Sequence, residues 1–151
     1  MIEKTGFEAN KKLIIDHHNK PERTIVGGKE CNFRSQGEKK LAQYLELLKQ
    51  SDFIDDWFYE FMNFKFPPDD PDMTWLVDFT VKENNGSITY WEYKGWFEAR
   101  DRKKLQLLSK YYPQAKVVYV FPNKSSRKKM KTSEKYCHRV CVLYELTRGI
   151  L

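Results

Sequence analysis

The sequence predicts one α/β domain in which helices flank a mixed sheet, and three observations carry that prediction. A helical apolar stripe follows Ser35, three β-rich runs with a hairpin signal come next, and a second helical segment leads into an apolar strand. At 151 residues with 40% hydrophobic content, the chain is long enough to bury one core and short for two. Ten Phe, nine Tyr and four Trp exclude a largely disordered chain.

Residues 1–32 are polar, lack a clear period and contain Pro21 and Gly27-Gly28, so they read as an N-terminal arm ahead of a domain over 33–151. The first helix begins at Ser35, where Ser-Gln-Gly-Glu matches a capping box. Leu41, Tyr44, Leu45 and Leu48 form its apolar face, and it should end near Gln50. Trp57 to Phe66 reads as a strand covered on both sides, dense in aromatics. Pro67 to Asp72 is a loop, and Thr74 to Val81 a second strand. Asn84-Asn85-Gly86 signals a hairpin, so Ser87 to Lys94 returns antiparallel and stops at Gly95. Residues 98–112 read as a helix with Leu105, Leu107 and Leu108 inward, ended by Pro113. Lys116 to Phe121 is an apolar strand, Asn123 to Lys135 a basic loop, and Arg139 to Leu146 a final strand.

Charge narrows the partners. Twenty-seven basic against 21 acidic residues give +6 and a pI near 9.1, a surplus that favours polyanions such as nucleic acid. No run approaches the roughly 18 apolar residues of a membrane span, and the opening MIEKTGFEANKK lacks the apolar stretch of a secretion signal. A soluble, cytoplasmic protein without a membrane partner is expected, in the host cytoplasm if phage-encoded. Cys31, Cys137 and Cys141 are an odd, sparse set that does not read as a disulfide framework, which fits a reducing compartment. Cys137, His138 and Cys141 with Cys31 or His17-His18 sketch a zinc site, but no CxxC pair with a matching partner pair is present. Cys137 and Cys141 read better as small apolar residues on the same side of a strand.

The chemistry concentrates on the central hairpin. Side chains two apart on a strand share a face, so Glu92 and Lys94 point the same way and Tyr93 points opposite. Folding the hairpin about its centre brings Asp78 to within about one residue of Glu92, close enough for both carboxylates to hold one cation. Phosphodiester hydrolysis needs divalent metal ions, carboxylates to hold them and a cation near the nucleophile. Asp78 and Glu92 are the expected ligands, with the main-chain carbonyl of Tyr93 as a neutral third. Lys94 would orient or help deprotonate the water, or stabilise the pentacovalent phosphate, depending on its pKa. The plain alternative is a solvent-facing Glu92–Lys94 pair beside a solvated Asp78. Apolar Trp75, Leu76, Val77, Phe79 and Trp91 crowd these charges, and burying charge without a partner is costly.

Phe33-Arg34-Ser35 with Glu38 at a helix head, Asp78-Phe79 on a strand, and Glu92-Tyr93-Lys94-Gly95 followed by Trp96 and Asp101-Arg102-Lys103-Lys104 form an ordered set of blocks. This set resembles the bacteriophage endonuclease I family of Holliday junction resolvases, within the PD-(D/E)xK nuclease superfamily. The likeness covers roughly residues 33–126. It implies a restriction-endonuclease-like fold and Mg²⁺-dependent cleavage of branched DNA by a homodimer, with Mn²⁺ as a substitute ion. It also implies a catalytic glutamate at Glu38, joining Asp78, Glu92 and Lys94 and counted with the metal ligands. Val77 stands where the superfamily usually has Pro, a residue that shapes only the strand entry. The Pro67–Asp72 connection is acidic, unlike the bridge through which the family's dimer exchanges elements. Glu38 also has a local reading, as the capping-box partner of Ser35.

Arg100, Arg102, Lys103 and Lys104 follow the centre directly and are expected to contact phosphates, together with Arg34. Lys124, Arg127 and Lys128, with Lys129 and Lys131, either contact DNA or only solubilise their loop. Trp96 and Phe97 either stack on an unpaired base or pack in the core, and core packing is the better reading. The aromatic strand 57–66 is expected to be buried partly by a partner chain. Two other functions fit the same residues: a nuclease of this fold with another substrate, such as a transposase-type or nicking enzyme, and a non-catalytic nucleic-acid-binding protein.

Overall fold

The computed structural model describes residues 22–150, and in it helices cover a mixed five-stranded sheet. The chain opens with a hairpin of β1 (Glu22–Val26) and β2 (Lys29–Phe33), turned at Gly27 and Gly28, both at positive φ. Val26, Cys31 and Phe33 enter the main core. Residues 22–32, read from sequence as part of an arm, are therefore built into the folded unit. Residues 1–21, with His17 and His18, lie outside the described residues.

Helix α1 (Gln36–Gln50) starts where the capping pattern placed it, with the Ser35 hydroxyl accepting the Glu38 N–H at 3.1 Å. Leu41, Ala42 and Leu45 are buried, and Tyr44 and Leu48 pack beside them. The two aromatic runs that follow are each broken in two. Residues 57–66 divide into β3 (Asp56–Tyr59) and β4 (Asn63–Phe66), and residues 74–81 into β5 (Met73–Leu76) and β6 (Phe79–Lys82). The breaks face each other: the Glu60 N–H donates to the Asp78 carbonyl at 2.8 Å, and the Val77 N–H to the Met62 carbonyl at 3.1 Å. Glu60 takes φ 46°, a left-handed conformation unfavourable for a side chain bearing Cβ. Burial offsets that cost, because the outer ribbon β4–β5 turns away from the sheet and buries Phe64, Phe66 and Trp75 in a second core.

The main sheet runs β3-β6-β7-β8-β9, with β7 at Ile88–Tyr93, β8 at Lys116–Phe121 and β9 at Arg139–Val142. β3, β6 and β7 are antiparallel neighbours, whereas β7, β8 and β9 pair in parallel. A parallel step needs a crossover, which α2 (Ala99–Tyr111) supplies between β7 and β8. Alternation along β8 sorts the two cores: Val118 and Val120 face α1, while Val117, Tyr119 and Phe121 join Leu105 and Leu108 of α2. No described helix is long and apolar enough to cross a membrane.

Two segments depart from the sequence reading near the end. The expected loop 123–135 is ordered as α3 (Lys124–Lys128) and a 3-10 turn, Lys131–Tyr136. Asn123 caps α3 by accepting the Ser126 N–H at 3.0 Å, and Met130 and Ser133 bury the connection. The last strand stops at Val142, and α4 (Leu143–Thr147) follows, because Leu143 and Thr147 lie one helical turn apart and both are buried. Cys137 packs into the α2-side core and Cys141 into the α1-side core, on opposite faces rather than one side. The zinc reading loses its pair. Burial pushes the Cys31 thiol up to about 11 and the Cys137 thiol up to about 12, as for small apolar residues.

Candidate active site

The β6–β7 ladder ends at Phe79 opposite Trp91, so Asp78 and Glu92 come abreast one step further on. Side chains take over from the ladder there. The Asp78 N–H donates to Glu92 Oε2 at 3.0 Å, and the Tyr93 N–H donates to Asp78 Oδ2 at 2.8 Å. Each carboxylate thereby satisfies a backbone donor that the strand break would otherwise leave buried and unpaired. The N–H and C=O of one strand residue point to the same side, so the Tyr93 carbonyl shares the edge that Asp78 occupies.

Glu92 is buried, and Asp78 keeps a partial opening to solvent although protein surrounds it. Burial, the Glu92 charge and the Glu38 charge push the Asp78 carboxyl well above the usual carboxylate range, against the pull of the Tyr93 N–H and Lys94. Burial pushes Glu92 up to about 7, countered by Lys94, the Asp78 N–H, Trp75 and Lys104. The Trp75 indole N–H lies on this side of the sheet, yet its geometry falls short of a hydrogen bond and leaves it buried without a partner.

Lys94 Nζ stands 3.8 Å from Glu92 Oε1 and 3.2 Å from Asp101 Oδ1. Burial alone would lower the Lys94 pKa, but the Glu92, Asp101 and Asp78 carboxylates outweigh it and the net shift is upward. Lys94 is held as an ammonium ion. Asp101 is the residue that sequence reasoning missed; it is buried, and its other oxygen accepts the Glu98 N–H at 2.9 Å, closing the first turn of α2. The signal was present as Glu-x-x-Asp at the head of a helix, hidden in a block read for its positive charge.

Glu38 reaches the centre from the α1 side. Its Oε2 accepts the Arg34 N–H at 2.8 Å, one residue before the Ser35 N–H that a standard capping box would use. Burial raises its pKa, Glu60 adds to the rise, and the Arg34 N–H and charge and Lys94 oppose it. The local reading of Glu38 holds with a shifted donor, since its side chain braces the helix entry, and its charge also acts on Asp78. Glu60, at the strained break, stands 3.7 Å from Arg34 and was not expected here. Gly37 lets α1 approach: a Cβ there would collide with the Tyr93 ring.

A divalent ion suits this donor set. The acids at the centre outnumber Lys94, and burial penalises every uncompensated charge. Among the described residues no three His, Cys, Asp or Glu side chains gather closely enough to hold an ion by themselves. Asp78 and Glu92 form the pair, the Tyr93 carbonyl adjoins it, and Glu38 is occupied by Arg34. Mg²⁺ commonly binds through one or two carboxylates and takes its remaining ligands from water and substrate phosphate, so the pair is sufficient in kind.

The expected phosphate contacts divide by position. Lys104 leans inward: burial, Lys94 and Arg100 lower its pKa against the pull of Glu92 and Asp101, and its ammonium lies 6.0 Å from the Trp75 ring. Arg100 and Lys103 are exposed on α2. Arg102 donates from Nε to Ser133 Oγ at 3.1 Å, which ties α2 to the 3-10 turn. Lys124 pairs with Glu145 at 3.6 Å and Arg127 with Glu134 at 3.2 Å, so among the described residues Lys128 is the member of that trio outside an ion pair. Arg34 is exposed beside Glu60.

No family model matches the chain, and no curated protein or solved structure is significantly similar to it. The resemblance to phage endonucleases is one of motif blocks alone.

Proposed function

We propose that this chain is a metal-dependent DNA endonuclease of restriction-endonuclease-like fold that cleaves branched DNA, with four-way junctions as the preferred substrate. One observation carries the reading: two desolvated carboxylates, Asp78 and Glu92, lie abreast at a strand break with an ammonium ion beside them. Asp78, Glu92 and the Tyr93 carbonyl would hold Mg²⁺ or Mn²⁺, with Glu38 approaching from the α1 side. When bound, the ion polarises the phosphate and lowers the pKa of the attacking water.

The chain's own groups supply the rest. Lys94, protonated between Glu92 and Asp101, is suited to donate to the attacking water or to a non-bridging phosphate oxygen, and to offset charge as the pentacovalent phosphate forms. A general-base role needs the neutral amine, which its raised pKa disfavours. Lys104 offers a second cation on the same side. Arg100, Lys103 and Lys128 would contact phosphates away from the reacting one, reading the shape of the DNA rather than its bases. Such an enzyme acts in the cytoplasm, and as a homodimer it would present two centres to two strands of like polarity.

The test is incubation with a four-way junction and a linear duplex of matched sequence, each with and without Mg²⁺. Metal-dependent cutting of the junction alone is the expected result. Inertness toward both DNAs in Mg²⁺ and in Mn²⁺ would overturn the reading, and equal nicking of both would replace junction resolution with a nicking activity.

A further inference from the structure

Trp96 is exposed beside the candidate centre, unlike every other tryptophan of the chain. Trp57, Trp75 and Trp91 are at most 3% exposed, whereas Trp96 is 61% exposed. Its neighbour Phe97 does pack inward, edge-on to Tyr119 and Phe121 at 5.9 and 6.4 Å between ring centroids. Core packing therefore accounts for Phe97 and leaves Trp96 unexplained. Gly95 alone separates Trp96 from Lys94. The ammonium of Lys129, at the C-terminal cap of α3, lies over the Trp96 ring. Arg100 follows four residues after Trp96, at the exposed start of α2, and acts electrostatically on Lys104, as Lys94 does.

A tryptophan largely open to solvent, with an ammonium ion over one face of its ring, suits single-stranded nucleic acid: the cation neutralises a phosphate and the open face accepts a base. Bases inside a duplex stack on one another and offer no free face, so such a ring discriminates by pairing state rather than by sequence. We propose that Trp96 is a stacking platform for an unpaired nucleobase of DNA, with Lys129 and Arg100 neutralising the adjoining phosphates. The inference rests on the nuclease reading only in placing that base next to the phosphate to be cut. It adds to that reading a preference for DNA whose pairing is already interrupted.

The test uses the full chain without metal and follows its tryptophan emission under acrylamide, because Trp96 is the one described tryptophan open to the quencher. A forked duplex with unpaired thymidine arms should shield Trp96, and a blunt duplex of the same length should not. Trp96→Ala should weaken binding of the fork about tenfold, equivalent to ~1.4 kcal/mol, and leave the blunt duplex unaffected. Trp96→Tyr should restore most of the loss. Equal affinity of the wild type and Trp96→Ala for the fork would overturn the proposal, as would shielding that depends on protein concentration without DNA, which would assign the face to a second copy of the chain. Shielding by the fork in a protein that never cuts DNA would sink the nuclease reading and keep this one; Mg²⁺-dependent cutting with unchanged fork affinity would do the reverse.

Discussion

At Asp78 and Glu92 the burial that favours the proposed cation also penalises two carboxylates held side by side without one. Asp78→Asn and Glu92→Gln should each abolish cleavage while leaving junction binding intact or stronger, since each removes a ligand and relieves repulsion of phosphate; residual wild-type turnover in either would move the metal elsewhere. Protonation gives a second handle. Glu92 rises from 4.5 to about 7 on folding, so the folded state binds its proton more tightly than the unfolded one. Its contribution to stability is complete below 4.5 and is lost as pH rises through about 7. Thermal melting of the metal-free protein should therefore fall across that window, Mg²⁺ should restore it at the alkaline end, and Glu92→Gln should flatten the dependence. In the proposed reaction Asp101, paired with Lys94 at 3.2 Å, would act through it as a positioning residue. Asp101→Asn keeps an oxygen for the Glu98 N–H but removes the nearer anion from Lys94, so kcat should fall by about tenfold to a hundredfold with little change in DNA affinity. A change in KM alone would show that Asp101 serves binding instead.

Elements meet at the centre only because α1 comes close. Gly37 allows that approach, and Gly37→Ala sets two effects against each other. Alanine favours the helix by up to about 1 kcal/mol, whereas its methyl group would strike the Tyr93 ring, and overpacking costs typically about 1–3 kcal/mol. The ring is half-buried and packs against the α1-side core, so moving it aside loses contacts and a net loss of stability in urea unfolding is expected; a gain would mean that Tyr93 swings aside freely. The paired breaks between β3 and β4 and between β5 and β6 matter for the same reason. They turn an aromatic ribbon onto α2 and leave Asp78 at a corner, where its carboxylate can reach across to the Tyr93 N–H.

For the whole molecule, charge and assembly are the measurable properties. Log affinity for DNA should fall linearly with log salt, and removing Arg100, Lys103 and Lys129 together should flatten the slope by roughly 0.9 for each phosphate no longer neutralised. An unchanged slope would place the DNA on another face. Sedimentation should report about twice 18.2 kDa if paired cuts come from a two-fold dimer. Residues 57–66 offer less of an interface than the sequence implied: Trp57, Phe64 and Phe66 are buried by their own chain, and Phe61 is the large side chain of that stretch left open.

Local periodicity and turn chemistry determined helices α1 and α2, strand β8 and the Asn84–Gly86 turn, because each depends on side chains a few residues apart. The turn then determined the hairpin register, and with it the pairing of Asp78 with Glu92 and the shared face of Glu92 and Lys94. Tertiary structure decided what depends on segments distant in the chain. Burial of Phe64 and Phe66 against α2 broke two strands that read as continuous. The α1 face recruited Val26, Cys31 and Phe33 from what reads as an arm. Burial of Met130 and Ser133 folded a basic stretch that reads as loop. Asp101 found Lys94, and Trp96 was left outside while Phe97 went in. A sequence window holds the propensities of one segment but not the surface against which that segment must pack, and that surface chose among conformations the local signals left close in energy.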